Sequence, residues 1–244
     1  MHAESVGAGV LAGRTAVVTG ASRGIGRAVA RLFRDAGASV LMAARGEDAL
    51  RAAADEIGAH AVACDVSDAS SVARLAARAC EVFDGRAPDI VVNAAGTFRL
   101  SPLSETDPGM FDEQIAINLR GAFLVIRAFL PAMLERGGGH LVTVGSVAGR
   151  HAFPHNGAYS ASKFGVRGLH AVLDAEVRGT GVRATLVEPS ATDTPLWDAI
   201  DPARHPGLPP REAMLRPEAV ADGILYVVTR PPEVDVRTLI IERT

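Results

Sequence analysis

The stretch "TAVVTGASRGIGRAVARLFRDAG", residues 15–37, reads as three pieces in succession. Thr15 to Val18 are β-branched or apolar and suit a strand, and Gly20, Gly24 and Gly26 make a turn. From Gly24 onward Ile25, Val29, Leu32 and Phe33 recur at helical spacing with arginines opposite, until Gly37 offers a helix C-cap. A strand, a glycine turn and an amphipathic helix make the first half of a βαβ unit. Glycines there let the backbone approach a diphosphate, and the free N–H groups of a helix start favour its charge. The same glycines also suit plain strand–helix packing, so the turn alone does not decide for a nucleotide.

Working outward, the strand pattern repeats in "ASVLMAA" (38–44), "HAVACDV" (60–66), "DIVVNAA" (89–95), "HLVTVGS" (140–146), "VRATLVEP" (182–189) and "RTLIIE" (237–242). These runs are continuously apolar, which fits strands covered on both faces. Helical patterns lie between them, at "SDASSVARLAARACEVF" and over about 107–135 and 157–179. The predicted fold is therefore α/β: a single-domain, Rossmann-type doubly wound sheet of about seven mostly parallel strands with helices on both faces. Residues 1–12 read as a flexible tail, and the proline-rich segment 190–217 as a substrate lid.

Of the 244 residues 48% are hydrophobic, enough to bury a full core, and the net charge is −3. That balance gives no electrostatic reason to expect nucleic acid or a membrane surface as partner. The start lacks a basic region followed by an apolar one, so a cytoplasmic protein is expected. "GAFLVIRAFLPAML" is interrupted by Arg127 and Pro131 and reads as too short to span a bilayer. Cys64 and Cys80 show no paired metal spacing and read as structural, and no catalytic metal is expected.

One position stands out by chemistry. Of 25 basic residues 24 are arginine, and Lys163 is the only lysine, four residues after Tyr159 in "YSASK". Residues four apart share a helix face, so phenol and ammonium can enter one cleft. A phenol titrates near about 10, too high for proton exchange at neutrality, and a neighbouring cation lowers it. The compact ammonium has three donors that a planar guanidinium cannot imitate.

"TGASRGIG", "NAAG" at 93–96, Asn118 in "IAINLRG", Ser146, "YSASK" and "EPSATDT" at 188–194 together resemble the short-chain dehydrogenase/reductase superfamily, in its short single-domain form. The resemblance runs from about Leu11 to Thr244. Two positions depart from the usual motifs: "NAAG" stands for NNAG, and Pro189-Ser190 for Pro-Gly. The resemblance implies a carbonyl–alcohol oxidoreductase with Asn118, Ser146, Tyr159 and Lys163 as its catalytic set. Ser146 would polarise the carbonyl and Tyr159 would exchange the proton. Lys163 would bind ribose and lower the tyrosine pKa, and Asn118 would hold a water in the proton relay. It also implies dinucleotide contacts from Gly20, Ser22, Arg23, Gly24, Ile25, Gly26, Asn93, Ala94, Gly96 and Pro189. Asp65 and Val66 would flank the adenine, and Thr192 and Thr194 would orient the nicotinamide.

In such folds an acid at the end of the second strand reads the ribose of NAD, whereas arginine accommodates the extra phosphate of NADP. Here Ala44 takes the acid's place, Arg45 follows, and Arg23 lies in the glycine turn; NADP(H) is predicted. For the substrate, Phe98, Val147, Phe153, Leu196 and Trp197 suggest an apolar pocket, with Arg99, Arg150, His151 and His155 available to an anion. A small ketone or aldehyde, a 3-hydroxy acid or a 3-oxoacyl-carrier-protein all fit, as does a non-catalytic NADP-binding regulator. The resemblance implies a homotetramer or homodimer.

Overall fold

A computed structural model describes residues 9–200, 202, 205 and 208–244. Seven strands form one sheet: β1 (Thr15–Thr19), β2 (Ser39–Ala44), β3 (His60–Ala63), β4 (Ile90–Asn93), β5 (Gly139–Val144), β6 (Val182–Pro189) and β7 (Thr238–Ile241). Their order is β3-β2-β1-β4-β5-β6-β7 and every pairing is parallel. Strand order reverses between β1 and β4, and such a switch point opens a crevice at the strands' C-terminal ends.

Successive side chains of a strand point to opposite faces. Val18, Met42 and Val92 enter one core with Val29 and Phe33 of α1 (Gly24–Asp35), Leu50 of α2 (Glu47–Ile57) and Ile224 of α7 (Pro217–Val228). Val17, Leu41 and Val91 enter the other, with Leu75 of α3 (Ala69–Val82), Val125 of α5 (Gly121–Arg136) and Leu173 of α6 (Gly157–Val177). Burying each large apolar side chain contributes about 1.5–3 kcal/mol, so the two layers account for the continuous apolar runs. The two edges differ from that expectation: β3 and β7 carry exposed residues, because among the described residues no strand pairs beyond them and the helices cover the sheet's middle.

The helix expected over 107–135 begins after Asp107, whose carboxylate accepts from the Met110 N–H at 3.1 Å. It runs as α4 (Pro108–Gln114), a π-helical turn (Ile115–Arg120) and α5. Together Pro108–Arg136 spans 29 residues with a mean hydropathy of 1.5 in its most apolar window, long and apolar enough to cross a membrane by length and composition. The sequence expectation of a segment too short is thereby corrected, since neither Arg127 nor Pro131 ends the helix. Val125, Phe129 and Met133 pack it into the second core.

Of the expected tail, residues 1–8 lie outside the described residues. Residues 9–12 are no tail: Leu11 is buried in the first core, and its N–H donates to the Ala36 carbonyl at 2.8 Å. Cys64 is buried, which pushes its thiol up, while Cys80 is exposed.

Candidate active site

β1 ends at Thr19, whose hydroxyl accepts from the N–H groups of Ala94 and Ala95 at 3.2 Å each and donates to Asn93 at 3.3 Å. Asn93 in turn donates to the Ala122 carbonyl at 3.1 Å. Those bonds tie the ends of β1 and β4 to α5 and set the floor of the crevice. Above it Gly20 has a φ of +66, and a Cβ there would stand 2.7 Å from the Ala94 oxygen. At Gly26 a Cβ would meet the Gly20 oxygen at 2.5 Å, so α1 can start this close to the strand only through glycine.

An open cleft of about 1230 Å³ results. Gly20, Ser22, Arg23, Gly24, Ile25 and Gly26 line one side, Arg45 the far end, and Asp65, Val66, Ala94, Gly96 and Thr194 the rest. Every cleft residue expected at the glycine turn is therefore in place. The exceptions are Asn93, which is buried and spends both amide atoms on the floor, and Pro189 and Thr192, which lie in the adjoining cavity. Asp65 accepts from the backbone N–H and hydroxyl of Ser67 at 2.9 and 2.7 Å, which ends β3 sooner than expected. Arg23 and Arg45 are exposed at the rim, without an ion-pair partner among the described residues. The cradle of close-packed backbone, a helix N-terminus and two unengaged guanidinium groups fits a dinucleotide with an extra phosphate.

The adjoining cavity, about 970 Å³, shares Ile25, Ala94, Gly96, Thr194 and Leu196 with the cleft. Ser146, Tyr159 and Lys163 line it together. Ser146 caps a short 3-10 turn, Val147–Gly149, accepting from the Ala148 N–H at 3.1 Å. Tyr159 and Lys163 share the cavity face of α6, with the ammonium 5.6 Å from the ring centroid and donating to the Val144 carbonyl at 2.9 Å. Burial pushes the Tyr159 hydroxyl up to about 12, opposed by its hydrogen bond with Ser146. Burial pushes Lys163 down to about 8. The expected lowering of the tyrosine by the lysine is corrected for the chain alone: the ammonium is bound to a backbone carbonyl, and desolvation of the phenol dominates.

Asn118 is buried in the π-helical turn. It accepts from the Thr97 N–H at 2.8 Å and donates to the Thr97 carbonyl and the Ser162 hydroxyl, each at 3.0 Å. Its amide thus fixes the loop after β4 against α6 and does not line the cavity.

The apolar expectation holds. Phe98 stacks edge-on against Tyr159 and Trp197, with centroids 4.7 and 5.0 Å apart, and Val147, Phe153 and Leu196 complete the wall. The expected cations are elsewhere. Arg99 pairs with Glu113 at 3.3 Å, Arg150 with buried Glu188, and His151 and His155 are exposed outside the lining. Carboxylates that the motifs did not pair with these arginines hold them away. Of the expected lid, Leu196, Trp197, Leu208 and Pro209 face the cavity, and residues 201, 203, 204, 206 and 207 lie outside the described residues. Its two arms are joined: the Leu215 N–H donates to the Ala191 carbonyl at 2.8 Å, and Arg211 bonds Asp193 and Asp198 at 2.7 and 2.9 Å. Thr19, Glu188 and Asn156 carry no role in the sequence reading, although Thr19 stands in "TGASRGIG", Glu188 in "EPSATDT" and Asn156 ends the stretch "VAGRHAFPHN", from which substrate contacts are expected; Asn156 is buried and lines the cavity.

The sequence model of the short chain dehydrogenase family matches residues 14–205. An uncharacterized oxidoreductase of Staphylococcus aureus (strain N315) is 33% identical over 235 residues, 95% of this chain and 98% of that protein. Among solved structures, a metagenomic short-chain oxidoreductase in complex with NADP aligns with a TM-score of 0.82 and 34% identity, over 96% of this chain and 99% of that one. An alcohol dehydrogenase from the archaeon Thermococcus sibiricus, complexed with 5-hydroxy-NADP, aligns at 0.81 with 31% identity, over 93% and 95%. With this fold, this glycine cradle and this match along most of its length, the chain belongs to the short chain dehydrogenase family.

Proposed function

We propose that the chain is an NADP(H)-dependent oxidoreductase that interconverts a carbonyl and an alcohol. The observation that carries this is that the glycine-lined cleft and the cavity holding Ser146, Tyr159 and Lys163 adjoin, with Ile25, Ala94, Gly96, Thr194 and Leu196 in the walls of both. Two relatives of the fold were solved with NADP or 5-hydroxy-NADP, which supports the cofactor.

The glycine-turn N–H groups would hold the diphosphate, Arg23 and Arg45 the extra phosphate, and Asp65 and Val66 the adenine. Lys163 would reach the ribose, and Pro189, Thr192 and Thr194 would hold the carboxamide. When bound, the nicotinamide supplies or accepts the hydride. The chain's own residues do the rest. Ser146 donates to the carbonyl oxygen as charge develops there. Tyr159, held protonated at neutral pH by burial, donates the proton in the reducing direction. Asn118 positions the loop that carries Thr97 and Phe98, and its amide oxygen, which accepts one bond from the Thr97 N–H, would hold the relay water through its second lone pair. Leu196, Trp197, Leu208 and Pro209 would cover the cavity and keep water from it.

A carrier-protein or keto-acid substrate draws no support from the cavity, because Arg99 and Arg150 are held by carboxylates. Phe123 on α5 and Phe164 and Val172 on α6 are large apolar side chains left exposed, surface that a second copy would cover, and we include a homodimer or homotetramer in the proposal. The test is NADPH oxidation with a panel of neutral ketones, β-keto acids and β-ketoacyl thioesters, repeated with NADH. Turnover with NADPH over NADH supports the reading. Binding of NADPH without turnover of any carbonyl would assign the chain to the non-catalytic regulators instead.

A further inference from the structure

We propose that Asn156 is a specificity-determining residue that accepts a hydrogen bond from a substrate hydroxyl, so that the cavity takes a neutral hydroxy ketone, or the matching diol in reverse. This inference rests on the carbonyl–alcohol reading above and adds the substrate class.

Asn156 is the N-cap residue of α6, where an asparagine side chain ordinarily accepts from an N–H of the first turn. Here it makes no such bond. The residue is 6% exposed, lines the cavity, and its Oδ1 is buried without a partner. Buried polar atoms almost always find one, so an orphaned amide oxygen on a residue that lines the same cavity as Ser146 and Tyr159 points to a ligand donor. The backbone around it is fixed. Ser101 donates to the His155 carbonyl at 2.8 Å, and the Asn156 carbonyl accepts from the Ser160 N–H at 2.8 Å. His155 holds a φ of 64, a left-handed turn that aims the chain into the helix. The terminal torsion of asparagine is soft, so a rotation about one bond turns Oδ1 toward a ligand.

The donor follows from the company. An ammonium would sit near the Lys163 cation, and no carboxylate side chain lines the cavity among the described residues. A carboxylate could bond only the amide NH2 and would leave Oδ1 orphaned. A neutral hydroxyl remains. The rest of the molecule would lie against Phe98, Trp197, Phe153 and Leu196, which asks for an apolar arm.

The probes are cyclohexyl methyl ketone against the same ketone hydroxylated on its methyl carbon, and cyclohexyl ethyl ketone against its terminally hydroxylated form. With wild type and NADPH, kcat/KM favours at least one hydroxylated member of a pair. In Asn156→Leu the hydroxylated-to-parent ratio for that pair falls about ten- to hundred-fold, the loss of one buried hydrogen bond. No hydroxyl preference in wild type, or equal losses on both members in the variant, overturns the inference and leaves Asn156 a structural residue. Asn156→Ala serves if the leucine variant does not fold.

Failure of the reaction reading has a separate signature: no ketone is turned over. Trp197, the only tryptophan and part of the cavity wall, then reports binding through its emission. A hydroxy ketone bound about ten-fold more weakly by Asn156→Leu than by wild type supports the inference, and equal affinity overturns it.

Discussion

The glycine-lined cleft and the aromatic cavity lie side by side at the C-terminal ends of the same strands, yet they are built in opposite ways. The cleft is backbone: its shape comes from where β1 stops, how closely α1 can follow, and the absence of Cβ atoms at Gly20 and Gly26. The cavity is side chains, with Phe98, Ser146, Asn156 together with Tyr159, and Trp197 brought in from four separate stretches. The first suits a ligand whose charged part is always the same. The second leaves selectivity to single residues, each replaceable without moving a strand.

If that division is right, damage to the cavity and damage to the cleft should separate in kinetics. The largest expected effect is Tyr159→Phe, which removes the proton donor and should lower kcat by about a hundred- to ten-thousand-fold with the thermal midpoint retained. Steady-state rates beside a melting curve check it, and near-normal turnover would break the assignment of the cavity as the reacting site. Next comes Arg45→Glu combined with Arg23→Glu. Losing charged hydrogen bonds worth about 1.5–3 kcal/mol should cut the NADPH-over-NADH preference about ten- to hundred-fold. An unchanged cofactor ratio would show that the rim arginines are solvated charges only.

Thr19→Val probes the floor. It leaves the Ala94 and Ala95 N–H groups unpaired, at about 1–3 kcal/mol of stability, readable as a shift in denaturant midpoint. The cofactor KM should rise more than the substrate KM, since the threonine lies beneath the cleft; the opposite order would show that the two spaces share one support.

The smallest effect lies away from both. His140, bonded to the Thr185 hydroxyl at 2.8 Å, has its pKa pushed down to about 3 by burial, below the ordinary 6.5. The unfolded chain therefore binds the extra proton between pH 6.5 and about 3, so stability falls as pH drops through that window and is fully present above it. Near pH 6 the loss is about 1 kcal/mol, and His140→Gln should flatten that part of the slope in urea titrations. Activity at neutral pH should not follow the substitution, since His140 sits at the far end of β5.

Particular elements show why some of this was legible. β1, β2, β4 and β5 announce themselves because both faces are covered and almost every residue is apolar. β3 was read three residues too long: Cys64 and Val66 are buried, but Asp65 turns the chain by bonding Ser67. The helices α2 and α7 went unread; α2 is alanine-rich with charges around most of its surface, and α7 is apolar enough to pass for a strand. At the site, Tyr159 and Lys163 were legible because they share one helix face. The directions of their pKa shifts were not, because desolvation depends on what packs around the pair. Arg99 and Arg150 looked free for an anion until the fold brought Glu113 and Glu188 to them.

By itself, then, the sequence determined the alternation of strands and helices, the glycine cradle and the tyrosine–lysine pair, all set by backbone geometry over a few residues. Only the tertiary structure decided which polar groups are already partnered and which, like the Asn156 carbonyl oxygen, are left waiting. Hydrogen-bond satisfaction is a property of neighbours in space, and those neighbours lie tens of residues apart along the chain.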